Sequence, residues 1–196
     1  MIDFSKFIDQ FPPSENNVKP GEDTLRFFKD KVPADLIAFW EKYGFGNYGN
    51  GIIKVVNPEV YADVLGIWLG RGKDWSRIPI LVSGFGDIFY YRRIDAENED
   101  VSVVDLHYRR IIVCTDYESY TLKFFFEDYI TNDDFSAPFL RKELFAKSTK
   151  KLGSLKPDEI FFFSPALIFG GGTEEEAKVD KGIDIVHQEL LFQMGL

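Results

Sequence analysis

The sequence is poor in the residues that nucleophilic catalysis and metal binding most often use. It has a single cysteine, Cys114, which excludes a disulfide within the chain and leaves no cysteine pair for a zinc site. Cys114 lies in the apolar run Ile-Ile-Val-Cys-Thr, which predicts a buried thiol in a strand. The only histidines, His107 and His187, are far apart in the sequence and match no metal-ligand motif. We therefore predict no metal site and no cofactor.

Long apolar runs are also missing. The longest apolar segment, residues 160–169, is shorter than the roughly 20 residues that a helix needs to span a bilayer. The first residues, MIDFSKFIDQF, carry charges throughout and lack the apolar centre of a secretory signal. These features predict a cytoplasmic protein with no membrane partner.

Basic residues are outnumbered by acidic ones. The chain has 23 lysines and arginines against 32 aspartates and glutamates, so its formal net charge is −9. A field of this sign repels nucleic acid and anionic lipid, and it attracts basic proteins. We predict a protein partner with a cationic surface and no nucleic-acid ligand.

Phosphate-binding motifs are absent as well, although the segment FGGGTEEE (residues 169–176) contains a run of glycines. It lacks the lysine and serine or threonine that complete a P-loop. The three glutamates would repel a phosphate and would occupy the positive end of any helix that began there. Thr173 and Glu176 have the spacing of a capping box, so the segment predicts a turn followed by a helix.

The sequence does contain strong patterns of helices and strands, built largely from its 20 phenylalanines and other apolar residues. Helical spacing of apolar residues covers residues 3–11, 32–46, 57–70, 119–130, 136–153 and 179–194. Strand patterns cover residues 52–56, 77–93 as two strands, 101–108 and 110–115. In the last helix, Ile183, Val186, Leu190 and Met194 lie on one side.

Helices and strands come in mixed order, without a regular alternation, which favours an α+β fold. We predict mostly antiparallel sheet with packed helices, in two closely associated parts. The acidic segment DAENED (residues 95–100) is the predicted boundary, so the predicted domains are residues 1–98 and 99–196.

Clusters of acidic residues are the candidate binding surface for a cationic partner. Two tyrosines beside them have the amphipathic character of interface anchors. The candidate residues are Asp95, Glu97, Glu99, Asp100, Asp116, Tyr117, Glu118, Tyr120, Asp133 and Asp134.

Two other classes of function remain open on the residues alone. A small hydrolase-type enzyme could use Asp87, which follows the turn Ser-Gly-Phe-Gly, or His107. No Gly-x-Ser-x-Gly elbow supports that alternative, and we assign no catalytic residue. A non-catalytic scaffold or regulatory binding module is the first alternative, ahead of the hydrolase.

Several segments resemble one known combination of families. Residues 32–69 are similar to the start of the GAD-like domain family, with a proline-initiated helix ending in Trp-x-x-Tyr-Gly, a glycine turn, a strand, and Asn-Pro before a helix ending in tryptophan. The segment GFGDIFYY (residues 84–91) is similar to a later strand of that family. Residues 151–172 resemble the C-terminal domain of type VI secretion immunity proteins against DNase toxins, and the tail also fits.

This resemblance spans about residues 33–195 and implies a function. The first part would be the GAD-like domain and the second the immunity-type domain. Proteins of this kind are antidotes that bind and occlude a secreted nuclease toxin, so the resemblance implies a toxin partner and no enzymatic activity. The matching residues are glycines at turns, prolines at helix starts and core aromatics, so the resemblance transfers no toxin-contact residue.

Overall fold

The computed structural model of the protein describes residues 1–114, 121–170 and 172–194. Its helices, in chain order, are α1 (Ser5–Gln10), α2 (Glu22–Phe28), α3 (Ala34–Tyr43), α4 (Pro58–Trp68), α5 (Leu122–Phe124), α6 (Asp133–Leu140), α7 (Lys142–Leu152) and α8 (Asp184–Met194). Helix α5 continues into a π-helical turn, Phe125–Tyr129, and short 3-10 turns lie at Gly49–Gly51 and Leu167–Phe169.

A six-stranded sheet forms the centre of the molecule. Its strands are β1 (Gly46–Tyr48), β2 (Ile53–Val55), β3 (Arg77–Ser83), β4 (Ile88–Arg93), β5 (Glu99–Asp105) and β6 (Arg110–Val113). They follow one another in chain order, and every neighbouring pair is antiparallel. A second sheet pairs β7 (Glu159–Ser164) with β8 (Lys178–Ile183), also antiparallel. The predicted α+β class with mostly antiparallel sheet is confirmed.

Side chains alternate between the two faces of the central sheet, and each face has its own core. On one face, strand residues such as Leu81 and Phe89 belong to a large aromatic core that also takes in residues of α1, α2, α3, α6, α7 and β7. On the other face, Val82 and Ile88 belong to a smaller core with Val64 and Leu65 of α4. Helix α8 packs beside α4, so these two helices cover the second face.

The local signals for several elements work as the sequence predicts. The Asn57 side chain accepts a hydrogen bond from the Glu59 backbone N–H at 3.0 Å and caps α4, with Pro58 in the first turn. Gly44 ends α3 at φ +80°, a conformation that glycine adopts without strain.

The predicted boundary at residues 98 and 99 lies inside the central sheet. Strands β4 and β5 pair across it, with Arg93 opposite Glu99. The two predicted parts therefore share this sheet. The position of the boundary stays a prediction.

Three predicted helices differ in the structure. The helix predicted over residues 179–194 begins only at Asp184, because the residues before it form β8 (Lys178–Ile183). The helix predicted over residues 136–153 is two helices, because Arg141 between α6 and α7 has the left-handed φ of +45°. The helix predicted after Thr173 is absent. The Thr173 N–H still lies 3.5 Å from a Glu176 side-chain oxygen, but the following residues form β8, which pairs with β7.

Candidate functional site

The acidic loop between β4 and β5 is exposed and internally ordered. The Asp95 carboxylate accepts hydrogen bonds from the backbone N–H groups of Glu97 and Asn98 at 2.8 and 2.9 Å. Asp95 therefore shapes the loop. The exposed Glu97 side chain makes no hydrogen bond or ion pair within the part of the chain that the structure describes, so it is free to meet a partner.

The next two acids of this segment are used inside the protein. Glu99 accepts hydrogen bonds from the Tyr91 hydroxyl at 2.6 Å and from the Leu122 N–H at 3.0 Å. Asp100 is buried and forms an ion pair with Arg92. Asp100 is therefore not part of an exposed acidic surface.

The remaining candidates divide into two groups. Asp133 and Asp134 are exposed in the first turn of α6, and Asp133 forms an ion pair with Lys142. The other four candidates lie outside the described residues: Asp116, Tyr117, Glu118 and Tyr120.

A buried ionic cluster surrounds Asp87, one of the two residues considered for catalysis. The Arg141 guanidinium donates to Asp87 Oδ2 at 2.9 Å, and the Ser83 hydroxyl donates to the same oxygen at 2.8 Å. Asp87 is fully buried and Arg141 nearly so. Burial raises the pKa of the Asp87 carboxyl, while Arg141 and Ser83 act against that shift.

Arg141 connects three parts of the chain. Its guanidinium also donates to a Glu174 carboxylate oxygen at 3.0 Å and lies over the ring of Phe85, 5.5 Å from its centroid. Burial alone would lower the pKa of Arg141, but the carboxylates of Asp87 and Glu174 raise it overall. The cluster thus ties the β3–β4 turn, the α6–α7 junction and the segment before β8 together.

His107, the other residue considered for catalysis, is also buried. Its Nε2 lies 2.9 Å from the Phe85 carbonyl oxygen, and its ring packs edge-on to Phe163. Burial, assisted by the charge of Arg141, lowers the pKa of His107 to about 3, while Asp105 and Glu174 act in the opposite direction. The imidazole is therefore neutral at neutral pH.

The burial of neutral His107 predicts that the free energy of unfolding falls at acid pH. An unfolded histidine has a pKa near 6.5, so the unfolded chain binds more protons than the folded chain between about pH 6.5 and 3. Stability is therefore complete above that window and is lost as the pH falls through it. Between pH 7.5 and 5 we expect His107 to lower the free energy of unfolding by about 2 kcal/mol.

Urea unfolding of wild type and His107→Gln at both pH values measures this contribution. Glutamine keeps a donor for the Phe85 carbonyl and does not titrate. The acid-induced loss should be smaller by about 2 kcal/mol in His107→Gln. Equal losses in the two proteins would show that His107 is not buried in its neutral form.

A cleft of about 430 Å³ lies beside the Asp87 cluster. Asp133, Arg141, Lys142 and Glu174 line it, whereas Asp87 and His107 do not. Neither residue therefore faces the cleft, and the geometry does not favour the hydrolase alternative. Within residues 1–114, 121–170 and 172–194, no group of three or more histidine, cysteine or acidic residues could hold a metal ion.

A second buried ionic network lies on the opposite face of the sheet. Asp184, at the start of α8, accepts hydrogen bonds from the Tyr61 hydroxyl at 2.6 Å and from Gln188 at 2.6 Å. The Lys54 ammonium lies 3.4 Å from Asp184, and both residues are 1% exposed. Burial lowers the pKa of Lys54, and Asp184 opposes that shift.

The partners in both buried networks could not be predicted from the sequence. Arg141 stands in an unbroken helical pattern, so nothing local predicts its left-handed backbone or its burial. The sequence does indicate that Lys54 is unusual, because it is a lysine in the middle of the apolar strand pattern Ile-Ile-Lys-Val-Val. A charge at such a position is rarely buried without a partner. Asp184, however, is 130 residues away.

None of the helices in the described part of the chain is both long enough and apolar enough to cross a membrane.

Comparison with known proteins gives two family matches and a structural neighbour. Residues 3–103, just over half of the chain, match the family model of the GAD-like domain. Residues 119–195 match the model of the T6SS immunity protein Tdi1, C-terminal. No curated protein matches the sequence.

The crystal structure of Atu4351 from Agrobacterium tumefaciens is similar to the whole fold, with a TM-score of 0.78 at 20% sequence identity. The similarity covers 98% of this chain and 90% of that one. At this identity the likeness shows the fold. The two family matches confirm the resemblance found in the sequence, and the second supports a role as an immunity protein. The chain belongs to the GAD-like domain family and ends in a segment that matches the C-terminal domain of the T6SS immunity protein Tdi1.

Proposed function

We propose that this protein binds a cognate nuclease toxin of a type VI secretion system in the cytoplasm and blocks it by covering its DNA-binding surface. The observation that carries the proposal is the match of residues 119–195 to the C-terminal domain of an immunity protein. An immunity protein acts by binding, so it needs no catalytic residue of its own.

The charge of the molecule suits such a partner. A nuclease holds phosphates with a cationic surface. A protein with a net charge of −9 is steered towards that surface, and its association is faster at low ionic strength. The exposed acids Asp95, Glu97, Asp133 and Asp134 would contribute to this steering.

Co-expression with the C-terminal domain of the toxin encoded beside this gene tests the proposal. The tagged protein should retain the toxin domain during purification, and the bound toxin should no longer degrade plasmid DNA. If the complex forms but the released toxin does not degrade DNA, the protein keeps its role as an immunity protein, and a DNase is excluded as its partner. Failure to form a complex, with the toxin still lethal in co-expressing cells, would refute the pairing.

The electrostatic part of the proposal predicts a change in association rate. The double variant Glu97→Lys, Asp134→Lys reverses two exposed charges. Neither side chain makes a hydrogen bond or an ion pair in the described part of the structure. We expect the association rate with the toxin to fall by about tenfold at low ionic strength. The difference should shrink at about 1 M salt, where the Debye length is about 3 Å.

A matched control separates local charge from net charge. Asp9→Lys combined with Glu15→Lys changes the net charge equally at two exposed positions in the N-terminal region. Stopped-flow measurement of both double variants should show the larger effect for Glu97 and Asp134. Equal effects would mean that only the net charge matters, and no effect in either would remove the acidic surface from the proposal.

A further inference from the structure

Helix α8 carries apolar residues on both of its sides, one side packed against the protein and the other exposed. Four apolar residues recur on one side at the end of β8 and along α8, and all four are exposed. They are Ile183, Val186, Leu190 and Met194, with exposed fractions of 54%, 51%, 49% and 61%, and we name them the C-terminal stripe. On the side that faces the protein, Asp184, Gln188 and Leu191 are buried, Ile185 packs against the second core and Phe192 packs against Trp68. Amphipathic helices on a protein surface normally bury the apolar side.

Specific partners hold α8 in this orientation. Gln188 donates to Asp184 and to the Gly86 carbonyl oxygen at 3.2 Å, while Lys54 and Tyr61 contact Asp184 from the sheet and from α4. Rotating the helix to bury the stripe would break these contacts and leave the Lys54 ammonium buried without its carboxylate. Burying an ion pair is costly, and a hydrophobic replacement is often equally stable. The arrangement therefore keeps apolar side chains in water at an energetic cost.

A row of exposed apolar side chains on one helix is a common form of protein recognition site. Partners accept such a helix in an apolar groove, reading side chains at intervals of three and four residues. Contiguous exposed apolar surface of this kind marks interaction sites in soluble proteins. The stripe also lies within residues 119–195, the segment that matches the immunity protein.

The charges around the stripe favour a basic partner over a second copy of this chain. Helix α8 has no lysine or arginine, and its Glu189 is partly exposed, whereas Asp184 is buried beside Lys54. Arg109 lies over the Phe192 ring, 6.0 Å from its centroid. The solvent side of the neighbouring α4 carries Glu59 and Asp63, of which Asp63 is paired with Lys73. Two copies meeting through α8 would bring like charges together, each from a chain with a net charge of −9. A cationic toxin surface with an apolar groove complements both the stripe and the nearby acids Glu189 and Glu59.

We propose that the C-terminal stripe is the apolar anchor of the toxin interface, and that it inserts into a groove bordered by lysine and arginine on the toxin. This inference rests on the proposed immunity function and names the surface that carries it out. In this arrangement the apolar anchors set the lifetime of the complex, and the exposed acids set its rate of formation.

The double variant Val186→Gln, Leu190→Gln tests the stripe. Both side chains are half-exposed, so the variant should unfold at the same urea concentration as wild type. Its dissociation constant for the toxin domain should rise about 30-fold or more, mainly through faster dissociation. The matched control is Ile111→Gln, Val113→Gln, a pair of similar exposure (53% and 44%) on the edge strand β6. The control should bind like wild type.

Each other outcome has a distinct meaning. If wild type binds and neutralises the toxin and the stripe variant does so equally well, the inference is wrong and the immunity function stands. If wild type does not bind the toxin, the proposed function itself fails. If sedimentation shows wild type alone as a dimer that the stripe variant converts to monomers, with toxin binding unchanged, then a second copy covers the stripe.

Discussion

Arg141→Ala is expected to lower the free energy of unfolding by about 3–5 kcal/mol, because it removes one partner of a buried ion pair and leaves the other uncompensated. Asp87 is fully buried, and its carboxylate would keep only the Ser83 hydroxyl. Alanine and arginine have the same backbone strain at the left-handed φ of this position. The change in the free energy of unfolding therefore measures the contribution of the arginine side chain. Urea unfolding at pH 7 measures the loss.

Two further variants define the cause of that loss. Lys142→Ala removes the neighbouring exposed ion pair with Asp133 and should cost less than about 1 kcal/mol. Arg141→Met combined with Asp87→Asn removes both charges, and it should recover a large part of the stability lost in Arg141→Ala. A loss below about 1 kcal/mol in Arg141→Ala would show that the pair contributes little.

The elements that could be predicted from the sequence are those with local causes. Asn57 and Pro58 start α4, Gly44 ends α3, and the apolar alternation in residues 77–93 gives β3 and β4. Each of these depends on residues within one or two turns of the chain. The α+β class follows from their order.

The elements that could not be predicted depend on distant partners. Arg141 divides a continuous helical pattern, and its partners Asp87 and Glu174 are 54 and 33 residues away. Glu174 also belongs to the segment where a helix was expected, and there the pairing of β7 with β8 prevails over the local capping box. In both places long-range contacts outweigh the local signal.

In the candidate interface, too, some features follow from the local sequence and others depend on distant residues. The periodicity of the tail predicts that Ile183, Val186, Leu190 and Met194 share one side. It cannot say whether that side faces the sheet or the solvent. That choice depends on Lys54 and Tyr61, which hold Asp184 from segments more than 120 residues earlier. The acidic residues that were predicted to form one surface differ in the same way. Some are exposed, such as Glu97, and others are buried, such as Asp100.

Asp184→Ala is expected to lower the free energy of unfolding at pH 7 by about 3–5 kcal/mol, because the buried Lys54 ammonium loses its counter-ion. Tyr61 and Gln188 lose their acceptor at the same time. Urea unfolding at pH 7 measures the loss. Glu189→Ala, on the same helix but only partly buried, is the control and should stay close to wild type.

The pH dependence identifies Lys54 as the source of the loss. Burial already lowers the pKa of Lys54, and without Asp184 its folded-state pKa falls further below the unfolded value near 10.4. The unfolded chain then binds more protons, so the stability of Asp184→Ala should rise with pH by up to about 1.4 kcal/mol per unit from pH 7 to 9. Adding Lys54→Met should abolish that rise. If the rise persists, another group is responsible.

The variant Lys54→Met, Asp184→Asn separates stability from orientation. Replacing a buried ion pair with neutral groups is often harmless to stability, so this protein should unfold close to wild type. Helix α8 would then lack the ionic contact that fixes Asp184 and Gln188 towards the sheet, and the stripe would be presented less uniformly. We expect this stable variant to bind the toxin domain more weakly than wild type in a calorimetric titration. Unchanged affinity would mean that the packing of Trp68 against Phe192 is sufficient to orient the helix.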